Sequence, residues 1–293
     1  MTPHAPRGSA IDAVEALAVA VRRPAAEGGR ALVSDYEPFC EAVRRLCGID
    51  LLQYKRGQME RRIRSFVATR GAADLTSYTV QLKADKSELE RLLDRVTINV
   101  SQLWRNPEQW AVLEERILPD LAASAPGGTP RLKAWSAGCS YGAEAYTLAA
   151  VARRALGRAQ ISILGTDIDA RMVARARAGV FTADDARAAP TATLAAHFSM
   201  VGGAWHAGDD LKRLVRFEEG DLLRVRPAAG SFDLVLCRNT VIYFNEDVRD
   251  DLHGRLAHSL RAGGRLVVGA TERVSQPARH GLEPESPFVY RKS

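Results

Sequence analysis

The sequence predicts a small all-α domain followed by an α/β domain built on a doubly wound parallel sheet. Three observations carry that expectation. Between residues 36 and 99, apolar side chains recur at steps of three and four, with no strand-like alternation. Beyond about Leu118 the texture changes to short apolar runs separated by helical stretches, as right-handed strand–helix–strand crossovers require. The 293 residues are 46% hydrophobic and 26% charged, which excludes a mainly disordered chain and suits one large or two modest domains.

Taken in order, residues 1–34 read as a flexible tail, in which the amphipathic pattern at 11–21 is cut off by Pro24 and Gly28-Gly29. Residues 35–105 are assigned to the helical domain and its connecting segment. Phe39, Val43, Leu46 and Cys47 form a first apolar stripe, ended by Gly48. Met59, Ile63, Phe66 and Val67 form a second, ended by Gly71. A third starts near Leu75 and Ser77 and keeps Tyr78, Leu82, Leu89, Leu92 and Leu93 in phase. Residues 106–293 are assigned to the α/β domain, with a small-residue linker at 122–130. Strands are expected at 132–135, 161–165, 214–217, 234–237 and 266–268, and helices at 143–155, 170–178 and 248–260. The closing run Pro287-Phe288-Val289-Tyr290 is expected to return as an antiparallel edge strand.

The formal net charge of +6 permits an acidic partner without demanding nucleic acid, because acids remain spread through the chain. No run approaches the ~20 apolar residues of a membrane span, so no membrane insertion is expected. Cys40, Cys47, Cys139 and Cys237 are too scattered for a disulfide framework or a zinc pattern, which points to a reducing cytoplasm and no metal. The first eight residues lack the positive start and apolar core of a signal peptide.

Ligands of doubly wound sheets sit outside the C-terminal ends of the strands. The first strand runs into Ser136-Ala137-Gly138-Cys139-Ser140-Tyr141-Gly142, a glycine turn that is neither GxGxxG nor a phosphate-binding P-loop. Glu144 follows in the first helical turn, where it serves either a ligand or the helix dipole. The second strand ends at Gly165-Thr166-Asp167, and an acid there suits the two hydroxyls of a ribose. The alternative is that Asp167 or Asp169 caps the next helix; we assign Asp167 to the ribose and Asp169 to the cap. A glycine loop without phosphate grip, followed by an acidic strand tip, favours a nucleoside ligand such as S-adenosylmethionine. A third strand delivers Arg238 and Asn239, then Tyr243, while Cys237 reads as a buried strand residue. The Asn-Pro-Pro-aromatic turn of amino-methylating nucleic-acid enzymes is absent.

At these residues the chain resembles a known family. Val96-Thr97-Ile98-Asn99-Val100-Ser101-Gln102-Leu103-Trp104-Arg105-Asn106 is similar to a segment written T-x-N-[ST]-x-FFR. Trp135 to Tyr146 is similar to WSAGCSTGEEPY, and Thr166-Asp167-Ile168-Asp169 and Cys237-Arg238-Asn239-Thr240-Val241-Ile242-Tyr243-Phe244 match the next two blocks. The family is the CheR-type chemotaxis receptor methyltransferases, which use S-adenosylmethionine to esterify receptor glutamates, and the resemblance runs from about Tyr36 to Ser293. It implies a Rossmann-like S-adenosylmethionine-dependent methyltransferase domain, with a small β-subdomain near 180–213.

Carried over by position, Asn99, Ser101 and Arg105 belong to a segment that closes over the cofactor, with Gly138 in the loop beneath it. Glu144 would hold the methionine amino group, Asp167 the ribose, Asp221 and Leu222 the adenine, and Arg238 and Asn239 the pocket floor. Arg105 and Tyr243 would stand at the reactive methyl. Ala143, Ala145 and Leu103-Trp104 depart from the family pattern but leave the charged positions intact.

The implied product is S-adenosylhomocysteine, the implied partners are the cytoplasmic methylation helices of chemoreceptors, and the expected state is a monomer. Residues 55–70 hold six bases and one acid. Alone, such a face is as readily a solvated surface; under the resemblance, Lys55, Arg61, Arg62 and Arg64 form a docking face for glutamate-rich helices. The stretch 180–213 is short of the glycine-rich loop that tethering members carry, so tether-independent recognition is expected. The rival readings are a nucleic-acid or other protein methyltransferase and a catalytically silent cofactor-binding regulator. The first lacks interleaved aromatics for bases, and the intact Arg105, Glu144, Asp167 and Tyr243 oppose the second.

Overall fold

The computed structural model describes residues 34–97, 99–125 and 129–293. The expected tail with its 11–21 pattern lies outside them, as does the middle of the expected linker.

Four helices come first: α1 (Tyr36–Cys47), α2 (Arg56–Thr69), α3 (Leu75–Ala84) and α4 (Lys86–Val96). Their shared core is built on Tyr36, Phe39, Val43, Ile63, Tyr78 and Leu92. The stripe expected on α1 is rotated, for Leu46 is 38% exposed while Tyr36 and Cys40 turn inward. The third stripe is two helices, not one. Asp85 takes an extended conformation, and its side chain accepts the N–H of Ser87 to start α4. At the other end of α3, Asp74 and Ser77 form a reciprocal capping box. Glu88 is buried where three donors converge, namely Arg70 (2.8 and 2.9 Å), Tyr78 (2.7 Å) and Arg91 (2.9 Å). The Arg70 hydrogen bond is the main reason its carboxyl is held down at about 2.

A continuous rod follows, made of α5 (Pro107–Val112), a π-helical turn (Leu113–Ile117) and α6 (Leu118–Ala123). It reaches into the expected linker and lays Trp110, Leu113, Ile117 and Leu121 into the core beneath the sheet. The remaining elements are β1 (Arg131–Ala137), α7 (Ala143–Leu156), β2 (Gln160–Asp167), α8 (Ala170–Ala178), β3 (Val180–Phe181), α9 (Thr191–His197), β4 (Phe198–Val201), β5 (Ala204–Ala207), α10 (Asp209–Lys212), β6 (Val215–Glu219), β7 (Phe232–Cys237), α11 (Glu246–Ser259), β8 (Leu260–Val268), β9 (Leu282–Ser286) and β10 (Val289–Lys292).

Seven strands make the main sheet in the order β6-β2-β1-β7-β8-β10-β9. The first five run parallel, and β10 pairs antiparallel with both β8 and β9. One face packs against α5 to α8 and the other against α11 and its loops. In β7, Leu234 and Leu236 join the first core while Val235 and Cys237 join the second, which is why that strand reads as an unbroken apolar run. The final strand is antiparallel as expected but not at the edge; β9 lies outside it. A separate three-stranded sheet, β3-β5-β4, carries a tight Gly202-Gly203 turn with both glycines at positive φ.

The helical domain is stitched to the loop after β7. Lys55 donates its N–H to the carbonyl of Tyr243 (2.9 Å), and Asn245 donates its own to Gln53 (2.9 Å). The Asn245 amide also reaches the Leu52 carbonyl (2.9 Å), and the Tyr54 and Phe244 rings lie 4.9 Å apart.

Candidate active site

Strand β1 is followed in space by β2 on one side and β7 on the other, so the crevice of the doubly wound sheet opens at the C-terminal ends of these three strands. A cavity lies there. Its wall includes Asn99, Ser101, Arg105, Gly138, Glu144, Asp167, Arg238, Asn239 and Tyr243.

The loop after β1 is held from below, because the amides of Gly138 and Cys139 both donate to the Thr166 carbonyl (2.9 Å each). Gly138 has φ +80°, and a Cβ there would stand 2.7 Å from the Thr240 hydroxyl. Glycine thus lets the Thr240 side chain pack directly on the main chain of this loop, where any side chain would collide with it. The Ser140 amide then donates to Asp167 Oδ2 (2.8 Å), and the Asp169 amide donates to Asp167 Oδ1 (3.0 Å). Each carboxylate oxygen keeps lone-pair capacity towards the cavity. Burial pushes the Asp167 carboxyl above its ordinary range, and the amides of Asp169 and Ser140 oppose that shift. Asp169 does cap α8, accepting from Arg171 N (3.0 Å) and Met172 N (3.4 Å).

Glu144, in the first turn of α7, accepts from the Ser136 hydroxyl (2.7 Å) and pairs with Arg238 Nη1 (3.3 Å). Burial raises its carboxyl, and the Arg238 charge is the strongest influence holding it down. Arg238 is itself buried and fully engaged. Its Nε donates to Gln109 Oε1 (2.8 Å), its Nη2 donates to the Arg105 carbonyl (2.7 Å), and its guanidinium lies 5.0 Å from the Trp110 ring centroid. Gln109 passes the restraint on, donating to the Val268 carbonyl (3.4 Å).

The segment from Asn99 to Arg105 closes one side. Asn99 donates to Asp169 Oδ2 (3.3 Å) and accepts from the Ser140 hydroxyl (3.3 Å). Arg105 Nη1 donates to the Val100 carbonyl (2.8 Å). Opposite, Asn239 has φ +57°, and its amide donates to Glu272 Oε2 (2.7 Å), as does the amide of Gly269 (2.6 Å). Tyr243 follows in a short 3-10 turn (Val241–Tyr243).

Two expected adenine neighbours are off the wall. The Asp221 carboxylate accepts from the Leu223 amide (2.8 Å) and pairs with Arg224, while Leu222 is buried in the second core. Of the expected docking residues, Arg61 is exposed and Arg62 half-buried, and neither makes an ion pair among the described residues. Burial, and to a lesser extent the charge of Arg95, lowers the Arg62 pKa. Lys55 is half-buried at the start of α2. Arg64 is engaged with Asp35 (2.6 Å) and Glu60 (2.7 Å), so its charge is already met within the domain.

Sequence reasoning missed Tyr54, Gln109 and Glu272. Tyr54 lines the cavity from the helical domain, and burial together with the nearby Asp221 and Asp167 raises its hydroxyl pKa. Glu272 lies just past the C-terminal end of β8, so the strand-tip rule that singled out Asp167 would have found it.

A switch-point cavity with a phosphate-free glycine loop and buried carboxylates at two strand ends defines an S-adenosylmethionine-dependent methyltransferase fold. Two family models match the chain: the all-α domain of CheR methyltransferases over residues 34–97 and their S-adenosylmethionine-binding domain over residues 99–286. The "Chemotaxis protein methyltransferase" of Listeria innocua serovar 6a is 34% identical over 262 residues, covering 89% of this chain and 98% of that protein. "Chemotaxis protein methyltransferase 1" of Pseudomonas aeruginosa is 30% identical over 269 residues, covering 88% and 97% respectively. The chain belongs to the CheR methyltransferase family.

Proposed function

We propose that this chain methylates glutamate side chains on the methylation helices of chemoreceptors, forming methyl esters and releasing S-adenosylhomocysteine. The observation that carries this reading is the chemistry of the cavity wall. Among the described residues it holds no histidine, lysine or cysteine, and its two carboxylates, Glu144 and Asp167, are already engaged. Such a wall offers no ready general base, so it suits an acceptor that arrives ionised. A glutamate, with a reference pKa of about 4.3, does so at neutral pH.

The residues present fit S-adenosylmethionine, which supplies an electrophilic methyl group when bound. Glu144 would take its ammonium, Asp167 its ribose hydroxyls, and Asn99, Ser101 and Asn239 would close around it. Arg105 orients the incoming carboxylate, and Tyr243 lines the approach with its hydroxyl. The rest of the catalysis is alignment and exclusion of water. The reading takes the chain to act as a monomer. The four cysteines are unpaired, in keeping with a reducing cytoplasm, and no described helix is long and apolar enough to cross a membrane.

Transfer of labelled methyl to a receptor fragment tests the reaction. Alkali should release the label as methanol, because esters hydrolyse there; an alkali-stable label would place the methyl on nitrogen and overturn the reading.

Docking is assigned to the α2 face bearing Lys55, Arg61 and Arg62, with Arg64 in a supporting role. The Gly202-Gly203 hairpin supports recognition without a tether, since it has no room for a long glycine-rich loop. Exposed charges acting together raise encounter rate and are screened over about 8 Å at physiological salt. Reversing Arg61 and Arg62 to Glu should therefore raise KM for the receptor several-fold and flatten its salt dependence, with cofactor affinity unchanged. An unaltered salt dependence would remove this face from docking.

A further inference from the structure

We infer that Tyr141 and Asp185 are positioning residues that latch the segment from Asn99 to Arg105 over the methyl-transfer cavity. Their consequence for turnover rests on the function proposed above; the latch itself is a matter of geometry.

Tyr141 sits in the glycine loop after β1, and its hydroxyl is buried against two acceptors. One is the main-chain carbonyl of Ser101, inside the closing segment. The other is Asp185 Oδ1, at 2.8 Å. One hydroxyl proton serves both, so segment and carboxylate meet on a single oxygen. Asp185 grips the same segment a second time, because its carbonyl accepts the Leu103 amide (2.8 Å).

Asp185 is in turn held in place. The Thr182 amide donates to its Oδ2 (2.8 Å), its own amide donates to the Thr182 hydroxyl (3.1 Å), and Arg175 of α8 donates to Oδ2 (2.9 Å). The Arg175 guanidinium also lies 3.9 Å from the Tyr141 ring centroid, which keeps the ring from swinging away. The turn at 182–185 directly follows β3, so it is carried by the small three-stranded sheet. The latch therefore ties three parts to one point: the glycine loop, the small sheet and the segment that bears Arg105.

Two conditions make this positioning and not mere packing. First, Ser101 and Leu103 flank Gln102, and Arg105 follows two residues later, so the pinned main chain sets where the Arg105 side chain starts. Second, neither Tyr141 nor Asp185 lies on the cavity wall. Their effect on chemistry must pass through the segment.

The test uses the full chain with Tyr141→Phe and, separately, Asp185→Asn. Tyr141→Phe removes one oxygen and keeps the ring. Amide hydrogen exchange in the free protein should rise about tenfold at residues 101–105, the factor expected for one lost hydrogen bond, while amides of β1 and β7 exchange as before. Turnover of a receptor fragment should fall about tenfold with receptor KM little changed, as expected for a displaced orienting group. Unchanged exchange at 101–105, or exchange raised throughout the chain, would overturn the inference. So would locally raised exchange with full turnover. If even the unaltered protein methylates no receptor while exchange at 101–105 still rises in the variants, the latch stands and the proposed substrate falls.

Discussion

Replacing Arg238 by methionine should destabilise the fold by about 3–5 kcal/mol at pH 8, the cost typical of stranding one half of a buried ion pair. Methionine keeps most of the apolar volume, so the loss is electrostatic. Glu144 would be left with the Ser136 hydroxyl alone, in a place where burial already raises its carboxyl pKa. Gln109 and the Arg105 carbonyl would also lose a donor. The sign of the pH dependence follows. Without Arg238 the folded pKa of Glu144 lies further above its unfolded value, so the folded state binds the extra proton as pH falls. The deficit should shrink as pH drops through that raised pKa and be complete above it. Urea unfolding at pH 5.5 and pH 8 measures this, and a second change, Glu144→Gln, should recover part of the loss. A deficit independent of pH, or none at pH 8, would show that the pair is not coupled as drawn.

Arg105→Ala should lower kcat by about 100-fold, in the range seen when one fixed donor to a reacting group is removed. Its main chain is already fixed, since the carbonyl accepts from both Arg238 Nη2 (2.7 Å) and Trp110 Nε1 (2.9 Å). The alanine variant therefore keeps the main chain at residue 105 and loses the guanidinium together with its hydrogen bond to the Val100 carbonyl. Cofactor affinity, read by calorimetry, should change by less than about threefold. Arg105→Lys keeps the charge without the planar fork and should recover only part of the rate. If affinity fell in proportion to kcat, Arg105 would be a cofactor-holding residue and the orienting role would be wrong.

The parts of the fold that were legible in the sequence are those whose burial leaves a periodic mark. The strands β1, β2, β7 and β8 were found because they are buried on both faces and read as short apolar runs. The junction of α3 and α4 was not, because Tyr78, Leu82, Leu89 and Leu92 stay in helical phase across Asp85; only its capping geometry marks the break. Strand β9, Leu-Glu-Pro-Glu-Ser, escaped because an edge strand with one neighbour needs no apolar run.

The site divides in the same way. Asp167 ends β2, Gly138, Arg238 and Asn239 directly follow β1 and β7, and Glu144 stands in the first turn of the helix after the β1 loop, so local order betrays them. Asp221 also follows a strand end, that of β6, beside the Asp167 tip of β2; its carboxylate is turned to the Leu223 amide and Arg224 and is not part of the cavity wall. Tyr54 and Gln109 reach the site only through tertiary packing, and nothing in their neighbours' pattern signals it.

The stitching of residues 52–55 to the loop at 243–245 bears on how such a chain can be recombined. Leu52 and Asn245 are joined although 193 positions separate them. The two matched segments are therefore not interchangeable cassettes. A graft of the helical domain alone would keep the main-chain bond from residue 55 to Tyr243, which any amino acid except proline can make. It would not keep the fit of Tyr54 against Phe244, or the Asn245 side chain against the 52 carbonyl. A working chimera therefore does best to take both sides of that seam, Tyr54 with Phe244 and Asn245, from the same parent.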